Sequence, residues 1–378
     1  MSFETGSISL MICPLRNPMP ENYLELFAKN SAGKLDDVKD EPVLGWVSGR
    51  HLLESKIDDT TSMCGGFPYL NLRKTERKVP SQLLNAVCRR DELAYMQAND
   101  CLFVPRKEKK AIKEAALESL MPKMVPTISA TPFVVDTAAN VLYFGAASLA
   151  KFDVFVQEFT RALGLDVEPV PISVDELMVT LLKKNETDLP PLTLTNLASG
   201  MDEPQPGRDF LTWLWYESEV NGGACNVGEL GDFVLAIEGP LTLAYSPGKT
   251  KDPDLAGSGE SVVKRGNPLA SGEAKAALSS GKKLRKARVS FAREGGDAEV
   301  DKWSFTFDAD SFTFGSVKLP TGEEMERESA FEERVSNLNI LHTVFNAYFK
   351  KFAAAVMNGK NIATEKAMRQ WVADRESL

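Results

Sequence analysis

Apolar and polar positions set out a mixed chain. Ile8 to Pro14 alternates enough to predict a strand, and Val43 to Val47 and Phe67 to Leu72 predict two more. Pro20 to Asn30 has the pattern of a short helix, with Pro20 near its start. Another helix is expected from Pro80-Ser81 through Leu83, Leu84, Val87 and Leu93, since proline costs little where its missing N–H would be unpaired anyway. Pro105 opens a further helix that Pro122 closes, with Ile112, Ala116, Leu117 and Leu120 on one side. Arg106, Lys110 and Lys113 recur at i, i+4 and i+7 and so share a different face. Phe133–Val135 and Val141–Phe144 read as a hairpin around Ala138-Ala139-Asn140. Ser148 then caps a helix with Leu149, Phe152, Val156, Phe159 and Leu163 inward, ended by Gly164.

The middle is less regular. Ser173 to Lys184 predicts a helix, and Leu189 to Pro206 a loop. Gly207 to Val220 predicts a largely buried helix, its aromatics serving as core because only Arg208 accompanies them. Phe233–Ile237 and Leu241–Tyr245 predict a hairpin around Gly239-Pro240, followed by a loop from Ser246 to Glu273. Leu284–Ala292 is expected as a strand with Ala287, Val289 and Phe291 on one face and Lys286, Arg288 and Ser290 on the other. Trp303, Phe305 and Phe307 continue this as a β-meander, and Phe331 to Met357 forms a long amphipathic helix stopped by Asn358-Gly359. The expected fold class is α+β: mixed sheets with flanking helices in an elongated, multi-lobed subunit. Three regions are expected: 1–172 with the basic helix, 173–280 with a Gly/Ser/Pro-rich loop, and 281–378 with the meander and long helix.

Charge changes the picture. The formal net charge is −9, which alone disfavours a polyanion. However, residues 73–123 hold 12 Lys and Arg against 7 acids, and residues 275–293 hold 7 with no acid. The remainder then carries 25 basic and 46 acidic residues. Positive charge gathered in two places on an acidic body suits a polyanion held in a defined groove. No stretch is apolar enough for a membrane helix, and Met1 to Met11 lacks the basic start of a signal peptide, so a cytoplasmic protein is expected. The cysteines, five in number and never spaced as CxxC, predict free thiols.

Tests for chemistry find little. Ser246-Pro247-Gly248-Lys249-Thr250 resembles the end of a phosphate loop, but Leu243 stands where the first glycine must be. His51 and His342 are the only histidines, and His342 falls in the long helix as a packing residue. Asp297, Glu299 and Lys302 form the nearest nuclease-like set, in a turn better explained by solvated charge. No catalytic residue, metal or cofactor is expected. The basic run Lys282-Lys283-x-Arg285-Lys286-x-Arg288 leads into a strand and would meet phosphates without reading sequence.

Several segments resemble one family. Arg77-Lys78-Val79-Pro80-Ser81, the basic helix ending Glu118-Ser119-Leu120-Met121-Pro122-Lys123, Leu44-Gly45-Trp46-Val47, Phe133-Val134-Val135-Asp136-Thr137, Leu163-Gly164 and Val170-Pro171 are similar in order and spacing to the RdgC family. Ser280-Gly281-Lys282-Lys283 and Phe331 also fit, whereas residues 173–275 do not follow the family pattern. The resemblance implies a ring-forming homodimer that binds duplex DNA with little sequence preference, associates with the nucleoid and limits recombinase access. DNA contacts are expected from Lys109, Lys110, Lys113, Lys123, Lys282, Lys283, Lys286 and Arg288. Two rivals are weighed against it, a metal-dependent nuclease and a protein-interaction scaffold that uses residues 210–216 or the long helix.

Overall fold

The computed structural model describes residues 3–39, 41–187, 189, 192–194, 204–245, 259–264, 268–295, 301–320, 322 and 325–374. Its strands are β1 Ile8–Pro14, β2 Val43–Ser48, β3 Met63–Cys64, β4 Phe67–Glu76, β5 Thr127–Asp136, β6 Val141–Phe144, β7 Ala224–Asn226, β8 Asp232–Ala244, β9 Glu260–Val263, β10 Lys283–Arg293, β11 Lys302–Asp308 and β12 Thr313–Lys318. Its helices are α1 Tyr23–Lys29, α2 Asp59–Ser62, α3 Ser81–Ala98, α4 Arg106–Leu120, α5 Leu149–Leu163, α6 Val174–Leu182, α7 Pro206–Val220, α8 Gly272–Ser279, α9 Arg327–Val356 and α10 Asn361–Asp374. The fold is α+β, with all strands in one 12-stranded sheet of order β2-β4-β5-β6-β1-β12-β11-β10-β8-β7, β3 pairing β4 and β9 pairing β8.

The two halves of the sheet meet at β1. Met11 to Pro14 pair with β6, while Ile8 and Leu10 pair with Val317 and Phe314 of β12. Successive side chains of a strand point to opposite faces. Accordingly Met11, Cys13, Phe133, Val135, Leu142 and Phe144 pack with Phe27 of α1 and Phe155 and Phe159 of α5. Ile12, Val134 and Tyr143 face the other way, into a core shared with α6, α7 and α9. That core continues across the second half of the sheet through Phe291, Phe305 and Phe314 under Phe345 and Phe349. The first half is thus buried on both faces and the second on one.

Polar ties join the halves across that core. Asn339 of α9 donates to Asp136 at the end of β5 and accepts from the Tyr143 hydroxyl. Tyr348 donates to the carbonyls of Gly223 and Phe233, at 2.7 and 3.2 Å. The same long helix carries His342, which burial pushes down to about 4. Its folded value therefore lies below its unfolded one, so stability is lost as pH falls from about 6.5 toward 4. Because the ring is only partly covered, we expect a loss of about 1–2 kcal/mol between pH 7.5 and pH 5. His342→Gln should remove that part of the acid sensitivity; parallel melting-temperature profiles for variant and wild type would show that His342 is not its source.

Several expectations change. The hairpin expected around Gly239-Pro240 is one continuous strand, because both of its halves pair with β10. Between Glu238 and Thr242 β8 spans four residue steps where β10 spans two, so Gly239-Pro240 form a bulge rather than a turn. The expected loop Ser246–Glu273 contains β9 and the start of α8; residues 246–258 and 265–267 lie outside the described residues. Most of the expected loop Leu189–Pro206 also lies outside them. Leu149 is half-exposed, whereas Phe155, which the spacing did not single out, is fully buried in the core. The helix expected at Pro20 starts at Tyr23. Beyond the stop at Asn358-Gly359, both at positive φ, α10 returns to pack Met368 and Val372 into the core.

Candidate nucleic-acid interface

Helices α3 and α4 form a hairpin that stands off the sheet. α3 buries no residue, and α4 buries only Ala116. The helix expected through Leu83, Leu84, Val87 and Leu93 forms, with Leu84 and Val87 half-covered, Leu83 and Leu93 exposed, and α4 packed beside it. Arg77 fixes the base of the hairpin, its Nε donating to the Val38 carbonyl at 2.7 Å and its Nη1 to the Met124 carbonyl. At the far end Leu102 is 98% exposed and Phe103 73% exposed.

On this projection Lys109, Lys110 and Lys113 of α4 are all exposed, as is Lys123 in the turn that follows. Arg106 and Lys107 join them at the start of α4. Arg106, Lys109, Lys110 and Lys113 line one side of the helix over roughly 10 Å, since each residue rises about 1.5 Å. Lys110 reaches Glu114 at 3.6 Å, with both side chains well exposed. Such a pair is worth only a few tenths of a kcal/mol and leaves the amine open to a stronger anion. Lys109, Lys113 and Lys123 have no carboxylate partner among the described residues.

The second basic run behaves differently. Lys282 and Lys283, expected to meet phosphates, are buried. Lys283 lies 2.7 Å from Asp209 of α7, and the same carboxylate accepts from Thr193 Oγ1 at 2.6 Å and the Leu194 amide at 3.0 Å. Burial raises the Asp209 carboxyl even though Lys283 and Thr193 oppose the shift. Lys282 donates to Ser261 at 2.7 Å and lies over the Tyr245 ring. These two amines tie β10 to α7 and β9. Arg208, alongside, forks onto Asp310 with two bonds of 2.6 and 2.7 Å.

Lys286 and Arg288 stand on the polar face of the second half-sheet. Lys286 is exposed and approaches Asp308 only to 3.8 Å. Arg288 lies 3.5 Å from Glu238, which Lys302 also holds at 2.9 Å. Burial would raise the Glu238 carboxyl, but Lys302 and Arg288 outweigh it and hold it below its ordinary value. Lys318 on β12, which the sequence reading did not single out, is exposed beside Ser304 on the same face. Alternation within β12 is the signal that would have found it. The open face therefore presents Lys286, Arg288, Lys302 and Lys318 against Glu238 and Asp308.

Of the nuclease-like set, Asp297 and Glu299 lie outside the described residues, as does the segment 246–250. Among the described residues no group of three His, Cys, Asp or Glu side chains is placed to hold a metal ion. Trp213 and Trp215 are buried, so the segment offered as a docking surface belongs to the core. The five cysteines are free thiols. No described helix is long and apolar enough to cross a membrane.

Comparison with known proteins adds a family. A family profile described as "Putative exonuclease, RdgC" matches residues 23–188. Among curated proteins, the chain is similar to "Recombination-associated protein RdgC" of Yersinia pestis (strain Pestoides F) and of Yersinia pseudotuberculosis serotype O:3 (strain YPIII). Each is 24% identical over 170 residues, which is 44% of this chain and 53% of the relative. The chain therefore spans about half the length of the curated relatives it matches.

Proposed function

We propose that the chain, which is similar to the RdgC family over residues 23–188, is a member of that family and acts in recombination by binding duplex DNA through phosphates, with little dependence on sequence. The observation that carries this reading is the row of exposed cations Lys109, Lys110, Lys113 and Lys123 on a projecting hairpin of an otherwise acidic chain. Lysines that reach phosphates give affinity and position without base information. The open sheet face with Lys286, Arg288, Lys302 and Lys318 supplies a second, partly neutralised set. Lys282 and Lys283 support this surface from within and make no contact of their own.

The subunit works as a homodimer in this reading. Leu102 and Phe103 at the hairpin tip lie in water, and covering each is worth about 1.5–3 kcal/mol. A second copy that covers them would bring two sets of lysines to one duplex, closing a ring around it and leaving no length of duplex open for a recombinase. The protein would then reside in the cytoplasm, on the nucleoid. No catalytic step, metal or cofactor enters the proposal.

Binding to a random-sequence duplex across a salt series tests it. Log affinity should fall with log salt with a slope of about −0.9 per phosphate contact, near −4 for one subunit's four lysines and about twice that for a dimer. Absence of binding at low salt overturns the reading. Release of nucleotides with Mg²⁺ but not with EDTA would replace it with a nuclease.

A further inference from the structure

Away from the hairpin, an open cleft of about 710 Å³ lies between the N-terminal segment, the loop after β2 and the edges of β4 and β5. Its size lies within the range of small-molecule sites. Arg50 and His51 line it, together with Thr5, Ser7 and Asn71. Glu4 is the carboxylate in this lining, and Arg327 already holds it with two bonds of 3.1 Å. Arg50 and His51 are exposed, and Arg50 has no carboxylate partner among the described residues. The loop that carries them is fixed: the Arg50 amide donates to Ser48 Oγ at 3.0 Å, and the Leu53 amide donates to His51 Nδ1 at 3.3 Å. With Nδ1 accepting, the neutral imidazole keeps its proton on Nε2 as a free donor. Gly49 lets this loop lie on Tyr69, since a Cβ there would meet the ring at 2.2 Å.

A second observation points the same way. Arg73 follows Asn71 by two residues on β4 and pairs across the sheet with Ala130, another residue of the cleft wall. Arg73 is 3% exposed, gives its two Nη groups to the carbonyls of Leu52 and Gly33, and leaves Nε without a partner. No carboxylate neutralises it among the described residues, and burial lowers its affinity for the proton. A buried guanidinium answered only by carbonyls puts uncompensated positive charge behind a cleft whose rim is itself cationic. An anion in the cleft would relieve that cost.

We propose that this cleft binds a phosphomonoester, either a free mononucleotide or the terminal phosphate of a DNA strand. Arg50 supplies a planar fork matched to phosphate oxygens, and His51 Nε2 and the Thr5 and Ser7 hydroxyls supply the remaining donors. The lining offers no spare pair of carboxylates, so the assignment is to binding and not to cleavage. It does not depend on the hairpin lysines.

The test uses the full chain and three probes: dAMP, a blunt duplex with 5′-phosphates, and the same duplex with 5′-hydroxyls. dAMP should bind saturably by calorimetry. The double variant Arg50→Ala/His51→Ala, at two exposed positions, should weaken dAMP at least about tenfold with the melting temperature unchanged. A variant with the four hairpin lysines reversed should bind dAMP normally, which separates this site from the duplex-coating surface. If the phosphorylated duplex outbinds the hydroxyl duplex and the double variant abolishes the difference, the source is a strand end. If dAMP binds and the duplexes do not differ, it is a free nucleotide. No saturable dAMP signal together with equal duplex affinities overturns the assignment, as does dAMP binding unaffected by the double variant.

Discussion

Lys283→Ala will destabilise the protein by about 3–5 kcal/mol and leave its affinity for DNA, measured per folded molecule, unchanged. The substitution strands the Asp209 carboxylate in a nearly dry site, where Thr193 and the Leu194 amide are its remaining donors among the described residues. Removing one member of a buried pair costs far more than the pair is worth, because the other charge stays buried. For a chain of this size the loss should appear as a fall of roughly 4–6 °C in melting temperature. Asp209→Leu/Lys283→Met, which removes both charges and keeps the volume, should recover most of it. A steep loss of DNA binding in folded Lys283→Ala would mean that the amine reaches the ligand after all; an unchanged melting temperature would mean that the pair does not hold α7 to β10.

The opposite behaviour is expected at the hairpin. Lys109→Glu/Lys110→Glu/Lys113→Glu/Lys123→Glu should keep the melting temperature within a degree or two, since all four side chains lie in solvent. The one local loss is the Lys110–Glu114 pair, which becomes a repulsion of a few tenths of a kcal/mol. Duplex affinity near 0.1 M salt should fall on the order of a hundredfold or more, and the salt slope should flatten by about 3 to 4 per subunit, about twice that for the dimer. A smaller slope with little loss at low salt would mean that only some of the lysines touch phosphate. Unchanged affinity and slope would remove the hairpin from the interface and leave the sheet face of Lys286, Arg288, Lys302 and Lys318 as the surface to test.

Lys283 and Lys109 look alike in the sequence, each beside a second lysine, and their fates differ for a reason that is not local. The acids that withdraw the second run are Asp209, Glu238, Glu260, Asp308 and Asp310, most of them far along the chain and brought close only by the sheet. The same limit explains Gly239-Pro240. Those residues suit a turn or a bulge equally well, and the choice is made by β10, more than forty residues later. Local signals held where periodicity and caps sufficed. Ser148 and Ser173 do accept from the amides of Lys151 and Glu176, and Gly164 does end its helix at positive φ. α3 marks the middle case: its apolar spacing gave the helix correctly, yet could not say that its cover would come chiefly from one neighbouring helix. The cleft around Arg50 was invisible for the same reason as the acids, since it gathers residues 4–7 and 49–52 with Tyr69, Asn71, Ala130 and Pro132.

The shared strand β1 also sets a timetable. It is made before both of its partners, and its Met11–Pro14 edge can pair as soon as β6 has emerged. Its Ile8–Leu10 edge must wait for β12, about 170 residues later. At about 5–20 residues per second, the ribosome takes roughly ten to thirty seconds to deliver that partner. Through that interval the nascent chain carries an open apolar edge on β1, available to other nascent chains or to a chaperone. The time to folding competence is then set by synthesis of the last strand, and slowing translation anywhere between Phe144 and Thr313 should lengthen the exposure in proportion.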